Sequence, residues 1–139
     1  MGLVYADIEL VNLADETLCD DGYLTRDKVR FMPIKIMADS GAIRLTINEN
    51  IRSTLGLKIR SAMNVSLADS SIIKLDIAGP IRIKFQEREC ITDAFVLPNA
   101  EEPLLGAVPM EMMDLVIVPA AQKLMYNPLH PEGPLNSLK

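Results

Sequence analysis

Short segments in which apolar residues alternate with polar ones recur along most of the chain, and this pattern constrains the fold more than any other feature. The first segment has apolar residues at Val4, Ala6, Ile8 and Leu10, a period of two that predicts a half-buried strand. Further strands are predicted over residues 29–32, 33–38, 43–47, 59–67, 72–78, 81–85, 90–97, 116–118 and 123–126. Because the strands are short and their connections tight, the sequence predicts an all-β domain that is closed or nearly closed.

Helix signals are restricted to one or two short segments. Asn48 is a favourable N-cap, Ile51 and Leu55 share one helical face, and Gly56 can end the helix. A second helix is predicted to begin near Pro109, because proline is tolerated in the first turn of a helix. We therefore expect an all-β chain with one or two short helices.

The length of 139 residues corresponds to one ordinary domain with a core of its own. Residues 14–28 are polar and acidic and contain Asp21-Gly22, so they are predicted to form a turn or a long loop. We assign residues 1–126 to the folded domain. Residues 127–139 carry three of the nine prolines and are predicted to form an extended, surface-lying tail.

Charge and hydropathy argue against several classes of partner. The net charge is -5 and lysine and arginine form no stripe, which argues against a nucleic-acid partner. No segment approaches the roughly 18 consecutive apolar residues that suggest a membrane span, and the start of the sequence lacks the pattern of a secretory signal. Cys19 and Cys90 lie far apart, which favours two unpaired thiols in a reducing compartment. The expected location is cytoplasmic, with no membrane partner.

Few residues are available for catalysis. The single histidine, His130, lies between prolines in the tail, where it is badly placed for a Ser-His-Asp or Cys-His enzyme. Metal sites need clustered thiolates, imidazoles or carboxylates, and no such cluster is evident, so no metal is predicted. The sequence has no glycine-rich phosphate-binding motif either. What remains is carboxylate chemistry without a cofactor.

One carboxylate is distinguished by its surroundings. Asp39 begins the tripeptide Asp39-Ser40-Gly41, which taken alone is common in surface turns, where Asp bonds back to the chain. Here, however, apolar residues stand on both sides: Ile36, Met37 and Ala38 before the motif, and Ala42, Ile43 and Leu45 after it. This pattern predicts a buried strand that leads to the acid and another that leads away from it.

The order of three segments resembles the retropepsin-like aspartic peptidases, in particular their small single-domain bacterial relatives. These segments are Asp39-Ser-Gly-Ala42 after an apolar strand, a hairpin-like segment later in the chain, and Leu104-Leu-Gly-Ala107 after another strand. The resemblance covers roughly residues 3–125, most of the chain. It implies a closed acid-protease β-barrel with one lobe per chain.

The resemblance implies a role for each residue of the first motif. Asp39 would be the catalytic aspartate, and because each chain supplies only one, the site would form in a homodimer about a two-fold axis. The hydroxyl of Ser40 would bond across the interface and fix the two loops. Gly41 would let the substrate backbone pass close, and Ala42 would line the site. The segment Leu104-Leu-Gly106 would pack beneath the catalytic loop.

A second part of the implied site is a flap over bound substrate, at residues 63–72. The substrate-binding residues would be those at and beside its turn: Leu67, Ala68, Asp69, Ser70, Ser71 and Ile72. An ordinary hairpin would have the same sequence pattern. Many flaps of the family carry glycine at the tip, whereas this segment has none.

Two functions from different classes follow from these observations. The first is a homodimeric aspartic endopeptidase that hydrolyses peptide bonds with water activated between two Asp39 carboxylates. The second is a catalytically weak or inactive peptide-binding module with the same fold, which the flap without glycine and the small Ala38 before the aspartate favour. A purely structural β-domain is the third alternative.

Overall fold

The computed structural model describes residues 3–136, and these are mostly β structure, which confirms the all-β-dominant class. The strands of the larger, mixed sheet are β1 (Val4–Asn12), β2 (Phe31–Ala38), β3 (Leu45–Asn48), β4 (Lys58–Ser66), β5 (Ile72–Phe85), β6 (Arg88–Leu97) and β7 (Leu104–Leu105). The smaller sheet consists of β8 (Leu115–Val118) and β9 (Lys123–Tyr126). The α-helices are α1 (Leu13–Asp20), α2 (Glu49–Leu55) and α3 (Ala107–Met112), and short 3-10 helices span Arg26–Lys28 and Pro119–Ala121.

Strand β1 is hydrogen-bonded on both sides. Along most of its length it pairs with β2, and its last residues, 9–12, pair with residues 81–84 of β5. The order in the large sheet is β1-β2-β7-β3-β6-β5-β4, so the pairings lead from β1 through five further strands and back to β1. Strand β4 pairs with the first half of β5, outside this series.

Strand alternation produces the core, as the sequence predicts. In β1 the four apolar residues of the repeat are buried, whereas Tyr5 and Asp7 are exposed. The most completely buried side chains come from five strands of the large sheet (β1, β2, β3, β5 and β7) and from α2, α3 and the residues just after them: Leu10, Ile36, Leu45, Ile47, Leu55, Leu57, Ile81, Ile83, Leu105, Pro109 and Met113. One continuous core therefore holds the chain together.

The predicted loop over 14–28 is wrong for its first half, which forms α1. The side chain of Asn12 accepts a hydrogen bond from Asp15 N at 3.1 Å and caps the helix. Asp15 is buried, and its carboxylate accepts bonds from the backbone N, Nε and Nη2 of Arg30. The partner that stabilises this acidic segment lies fifteen residues away, beyond the reach of a local pattern.

The other helices follow the predictions more closely. In α2, Asn48 accepts from Ile51 N at 2.9 Å and Gly56 ends the helix at a φ of 64°, so that prediction is confirmed. Helix α3 begins at Ala107 rather than at Pro109. With α1 the chain has three α-helices within residues 3–136, against the one or two that were expected.

Two pairs of predicted strands are continuous. Residues 29–32 and 33–38 merge into β2, where Pro33 faces Glu9 of β1 while the β7 pairing is confined to Met37 and Ala38. On the side of β2 that faces β7, no described strand pairs with Pro33, so this residue lies on an edge, as predicted. The absence of its backbone N–H therefore interrupts no hydrogen-bond ladder on that side. Residues 72–78 and 81–85 merge into β5, and the pair Gly79-Pro80 forms a bulge rather than a break.

The tail contacts the corner between α3 and β8, although most of its side chains are exposed. Asp114, at that corner, accepts hydrogen bonds from Asn127 Nδ2 and Leu135 N and contacts the ring Nδ1 of His130. Arg88 is buried and donates to the carbonyl of His130. Of the predicted tail, residues 137–139 lie outside the described residues.

Asp15→Asn should lower the free energy of unfolding by about 2 kcal/mol at neutral pH, because a charge-assisted pair with Arg30 is lost. The Arg30 side chain holds the pKa of Asp15 below its ordinary value. The stabilisation is therefore present above the unfolded-state pKa and is lost as pH falls through the folded-state pKa. Urea unfolding of both proteins at several pH values measures this.

Asp20→Asn is the matched control, because Asp20 lies on the same helix with an exposed carboxylate 3.5 Å from Arg26. It should change stability by less than about 0.5 kcal/mol. Equal effects of the two substitutions, or an Asp15→Asn effect that does not shrink toward acid pH, would contradict the role given to Asp15.

Candidate active site

Asp39 is the first residue after β2, in a tight loop that its own atoms help to close. Its backbone N donates to Leu105 O at 2.9 Å, and its carbonyl accepts from Ala42 N at 3.1 Å. Its Oδ1 accepts from Gly41 N at 2.8 Å. Asp39 is half-buried, and Ser40 and Gly41 are exposed. The loop therefore fixes one carboxylate oxygen at the surface of the sheet.

Strand β7 lies directly behind this loop. It is inserted between β2 and β3, parallel to the first at Met37 and Ala38 and antiparallel to the second at Thr46. The chain that follows is bonded to the loop as well, since Ala107 N donates to Ala42 O at 2.8 Å. The segment from Leu104 to Ala107 thus lies against the loop that carries Asp39.

Gly106 permits the close contact between these two segments. A Cβ at this position would lie 2.7 Å from Ile43 C and 2.8 Å from Arg44 N, and closer still to Arg44 O. All three atoms belong to the backbone, so they cannot move aside as a side-chain end would. Glycine is required here by space, because any side chain would push β7 away from the loop.

Two cavities adjoin the loop and share Ser40, Ile117 and Pro119 in their linings. The larger, of about 440 Å³, is lined by Ser40 of the loop and by residues of α3, β8 and the turn after it: Ala107, Met110, Glu111, Leu115, Val116, Ile117 and Pro119. The second, of about 350 Å³, is lined by both Asp39 and Ser40 and by Leu3, Val4, Met37, Ala38, Ile117 and Pro119. Asp39 thus borders the second of these cavities, whose lining is mostly apolar, a typical arrangement for a ligand site.

The hairpin between β4 and β5 has a tip that is closed by its own hydrogen bonds. Leu67 N donates to Ser71 O at 2.8 Å, and Asp69 Oδ1 accepts from Ser71 N at 2.9 Å and from its hydroxyl. The hydroxyl of Ser71, followed by its N–H, holds the pKa of Asp69 below its ordinary value. Ser70 adopts a φ of 70°, the left-handed conformation that glycine would adopt without strain.

The structure brings some of the predicted site residues together and leaves others apart. Residues 39–42 form one loop, and all six predicted substrate contacts, residues 67–72, are exposed on the hairpin. Among the residues that line the two cavities beside Asp39, none belongs to this hairpin tip. The predicted contacts at residues 67–72 therefore lie outside both of these cavities.

Sequence reasoning missed the part of the site contributed by α3 and β8. Ile117 and Pro119 line both cavities beside Ser40, yet residues 116–118 carried only the signal of a short strand. Their proximity to Asp39 depends on the return of the chain after β7, which places the segment after Gly106 against the loop. A contact across so many residues leaves no local signature.

Comparisons with known proteins add no family. The sequence matches no family model and no curated protein. Within residues 3–136, no cluster of three or more His, Cys, Asp or Glu side chains is arranged to hold a metal ion. Over the same residues no helix has the length and apolar character needed to cross a membrane.

Gly106→Ala should reduce the free energy of unfolding by about 1–3 kcal/mol, the usual result of overpacking, because the new methyl group overlaps the backbone of Ile43 and Arg44. Gly133→Ala is the control, since a Cβ there meets nothing within 4 Å. Chemical denaturation of both variants measures the difference. If Gly106→Ala were as stable as Gly133→Ala, the packing of β7 against the loop would be disproved.

Proposed function

We propose that this chain is one half of a homodimeric aspartic endopeptidase, with Asp39 as its catalytic acid. The observation that carries the proposal is the way the loop is held. Asp39 N donates to Leu105 O, and Gly106 packs against the backbone of Ile43 and Arg44. Asp39 itself is half-buried and lines a mostly apolar cavity. An ordinary surface turn would need neither a strand such as β7 packed against it nor a glycine such as Gly106, where no side chain fits.

The strand pairings support the finer fold that we propose, a closed acid-protease barrel with one lobe per chain. The hydrogen-bonded series begins at β1 and returns to it through β5. Closure of this kind removes sheet edges. The ends of β2 and β7 then meet at Asp39, on the rim of the barrel.

Peptide hydrolysis by this route needs two carboxyl groups. Two carboxyls about 3 Å apart cannot both ionise, so they share one proton. The ionised member acts as general base toward a water molecule, and the protonated member acts as general acid toward the peptide carbonyl. A second copy of the chain, related by a two-fold axis, supplies the partner carboxylate.

The neighbours of Asp39 have supporting roles in this proposal. Ser40 is exposed beside the acid, where its hydroxyl bonds to the other subunit and fixes the paired loops. Gly41 leaves room for the substrate backbone, and Ala42 lines the site. An extended peptide binds between the loop and residues 67–72 of the hairpin, by main-chain hydrogen bonds and with its side chains in apolar pockets.

Asp39→Asn should lower the rate of peptide cleavage by roughly 10²–10⁴-fold, because the amide cannot act as a base, while the dimer persists. Asp7→Asn is the control, since Asp7 is exposed on β1. The assay incubates the protein with unfolded protein substrates and identifies products by mass spectrometry, and sedimentation measures the oligomeric state. Full activity of Asp39→Asn would end the proposal.

Mixed dimers test whether both carboxylates are needed. Wild-type and Asp39→Asn chains are unfolded together, refolded in varying ratios and assayed at constant total protein. Cleavage should fall as the square of the wild-type fraction, because only dimers with two intact chains are active. A linear fall would show that each chain acts alone.

The rate of cleavage should follow a bell-shaped pH profile on the acidic side of neutrality, because activity requires one shared proton and is lost when the pair binds a second proton or none. The measurement is kcat/KM for one peptide product across the pH range. A rate that still rises above about pH 8 would contradict a carboxyl pair.

A peptide-binding module without turnover is the second candidate. The hairpin tip favours this candidate. Ser70 has a left-handed backbone conformation, and the Asp69 carboxylate accepts a hydrogen bond from Ser71 N that holds the turn closed. A flap that covers substrate benefits instead from a mobile glycine at its tip. Saturable binding of a peptide without product after long incubation at acid pH would support this candidate. Any Asp39-dependent cleavage would remove it.

A further inference from the structure

A third cavity, of about 400 Å³, lies at the other end of β1 from Asp39. Val4, at one end of this strand, pairs with Ala38 beside the acid, and Asn12, at the other end, lines the cavity. At about 3.3 Å per residue the two ends are separated by roughly 25 Å. The cavity shares no lining residue with the two beside Asp39.

The lining combines apolar walls with a cationic rim. The walls come from α1, from the turn after α2 and from the bulge in β5: Ala14, Leu18, Gly56, Gly79 and Pro80. The rim carries three cations, Arg30, Lys58 and Arg60, and one acid, Asp15. We call this cavity the cationic pocket.

Asp15 pairs with only one of the three cations. Its carboxylate bonds to Nε and Nη2 of Arg30, and Nη1 of the same guanidinium, which lies against Gly56, makes no hydrogen bond within the described part of the chain. Lys58 forms no ion pair among residues 3–136. Arg60 has only a 3.7 Å contact with Asp93, and both side chains are well exposed.

This concentration of positive charge stands out because the chain as a whole carries a net charge of -5. Three cations line the pocket and two carboxylates lie beside them: Asp15 pairs with Arg30, and Asp93, which lies against Gly79, is loosely paired with Arg60. The charge of Lys58 remains without an ion pair among residues 3–136. Arginine and lysine donors bind carboxylate and phosphate oxygens. The apolar walls of the pocket suit the hydrocarbon part of a ligand.

We propose that the cationic pocket binds a small amphipathic anion, with a carboxylate or phosphate head and a short apolar chain. The head bonds to Lys58, Arg60 and the free Nη1 of Arg30. The chain lies along Leu18 and Pro80. The size of the cavity is that of ordinary small-molecule sites, about 300–1,000 Å³.

Isothermal titration calorimetry of the purified chain tests the proposal. The ligands are octanoate and octyl phosphate, both below their critical micelle concentrations, with acetate and 1-octanol as comparisons. One octyl anion should bind per chain, at least tenfold more tightly than acetate, since each buried methylene contributes about fourfold. It should also bind at least tenfold more tightly than 1-octanol. Tighter binding of octyl phosphate than of octanoate would identify the head group as phosphate, and the reverse order as carboxylate.

The double variant Lys58→Gln and Arg60→Gln should weaken binding of the preferred octyl anion at least tenfold. Both residues are exposed on β4, so the fold should tolerate the changes. Lys74→Gln, an exposed lysine on β5 outside the pocket, should leave binding unchanged. Equal binding by the double variant and the wild type, or equal affinities for octanol and the octyl anions, would overturn the proposal.

This binding should be independent of the proposed hydrolysis. Asp39→Asn should bind the octyl anion with unchanged affinity, because the pocket lies at the far end of β1. Loss of anion binding in Asp39→Asn would overturn a separate site. Loss of cleavage with retained anion binding would support both proposals.

Discussion

The insertion of β7 between β2 and β3 is the constraint on which the rest of the structure depends. Two residues of β7 join strands that would otherwise lie apart, and Leu105 O is the acceptor that fixes Asp39 N. Gly106 then lets the chain cross behind the peptides of Ile43 and Arg44. Because buried backbone groups must be paired, this one contact fixes the position of the loop and joins β2 to β3 in the strand order.

Local patterns were sufficient for the features that depend on near neighbours. The alternation in β1 predicts its buried face, and Asn48 with Gly56 predicts both ends of α2. The N-cap, the apolar spacing and the left-handed glycine all belong to one short helix, so they follow one another in the sequence and can be recognised there. The Asp39 motif is local in the same sense, since the turn closes through Gly41 and Ala42.

Features that depend on distant partners could not be predicted. Helix α1 has an acidic, loop-like sequence, and its stability depends on the burial of Asp15 against Arg30. The cavity walls at Ile117 and the cationic pocket likewise combine residues from several elements. In each case tertiary contacts override a weak local preference, and the side chains involved have no distinctive spacing.

The double pairing of β1 has a consequence for how the protein is made. Among the described elements, β1 is synthesised first, yet its last residues pair with residues 81–84, which are synthesised much later. Likewise, the Asp39 loop, which follows β2, bonds to Leu105. Contacts so distant in sequence slow folding, because the intervening chain must be ordered before they form. Until residues 81–84 have been synthesised, the end of β1 therefore lacks one of its two partner strands, and an unpaired strand with an apolar face is a segment that favours aggregation.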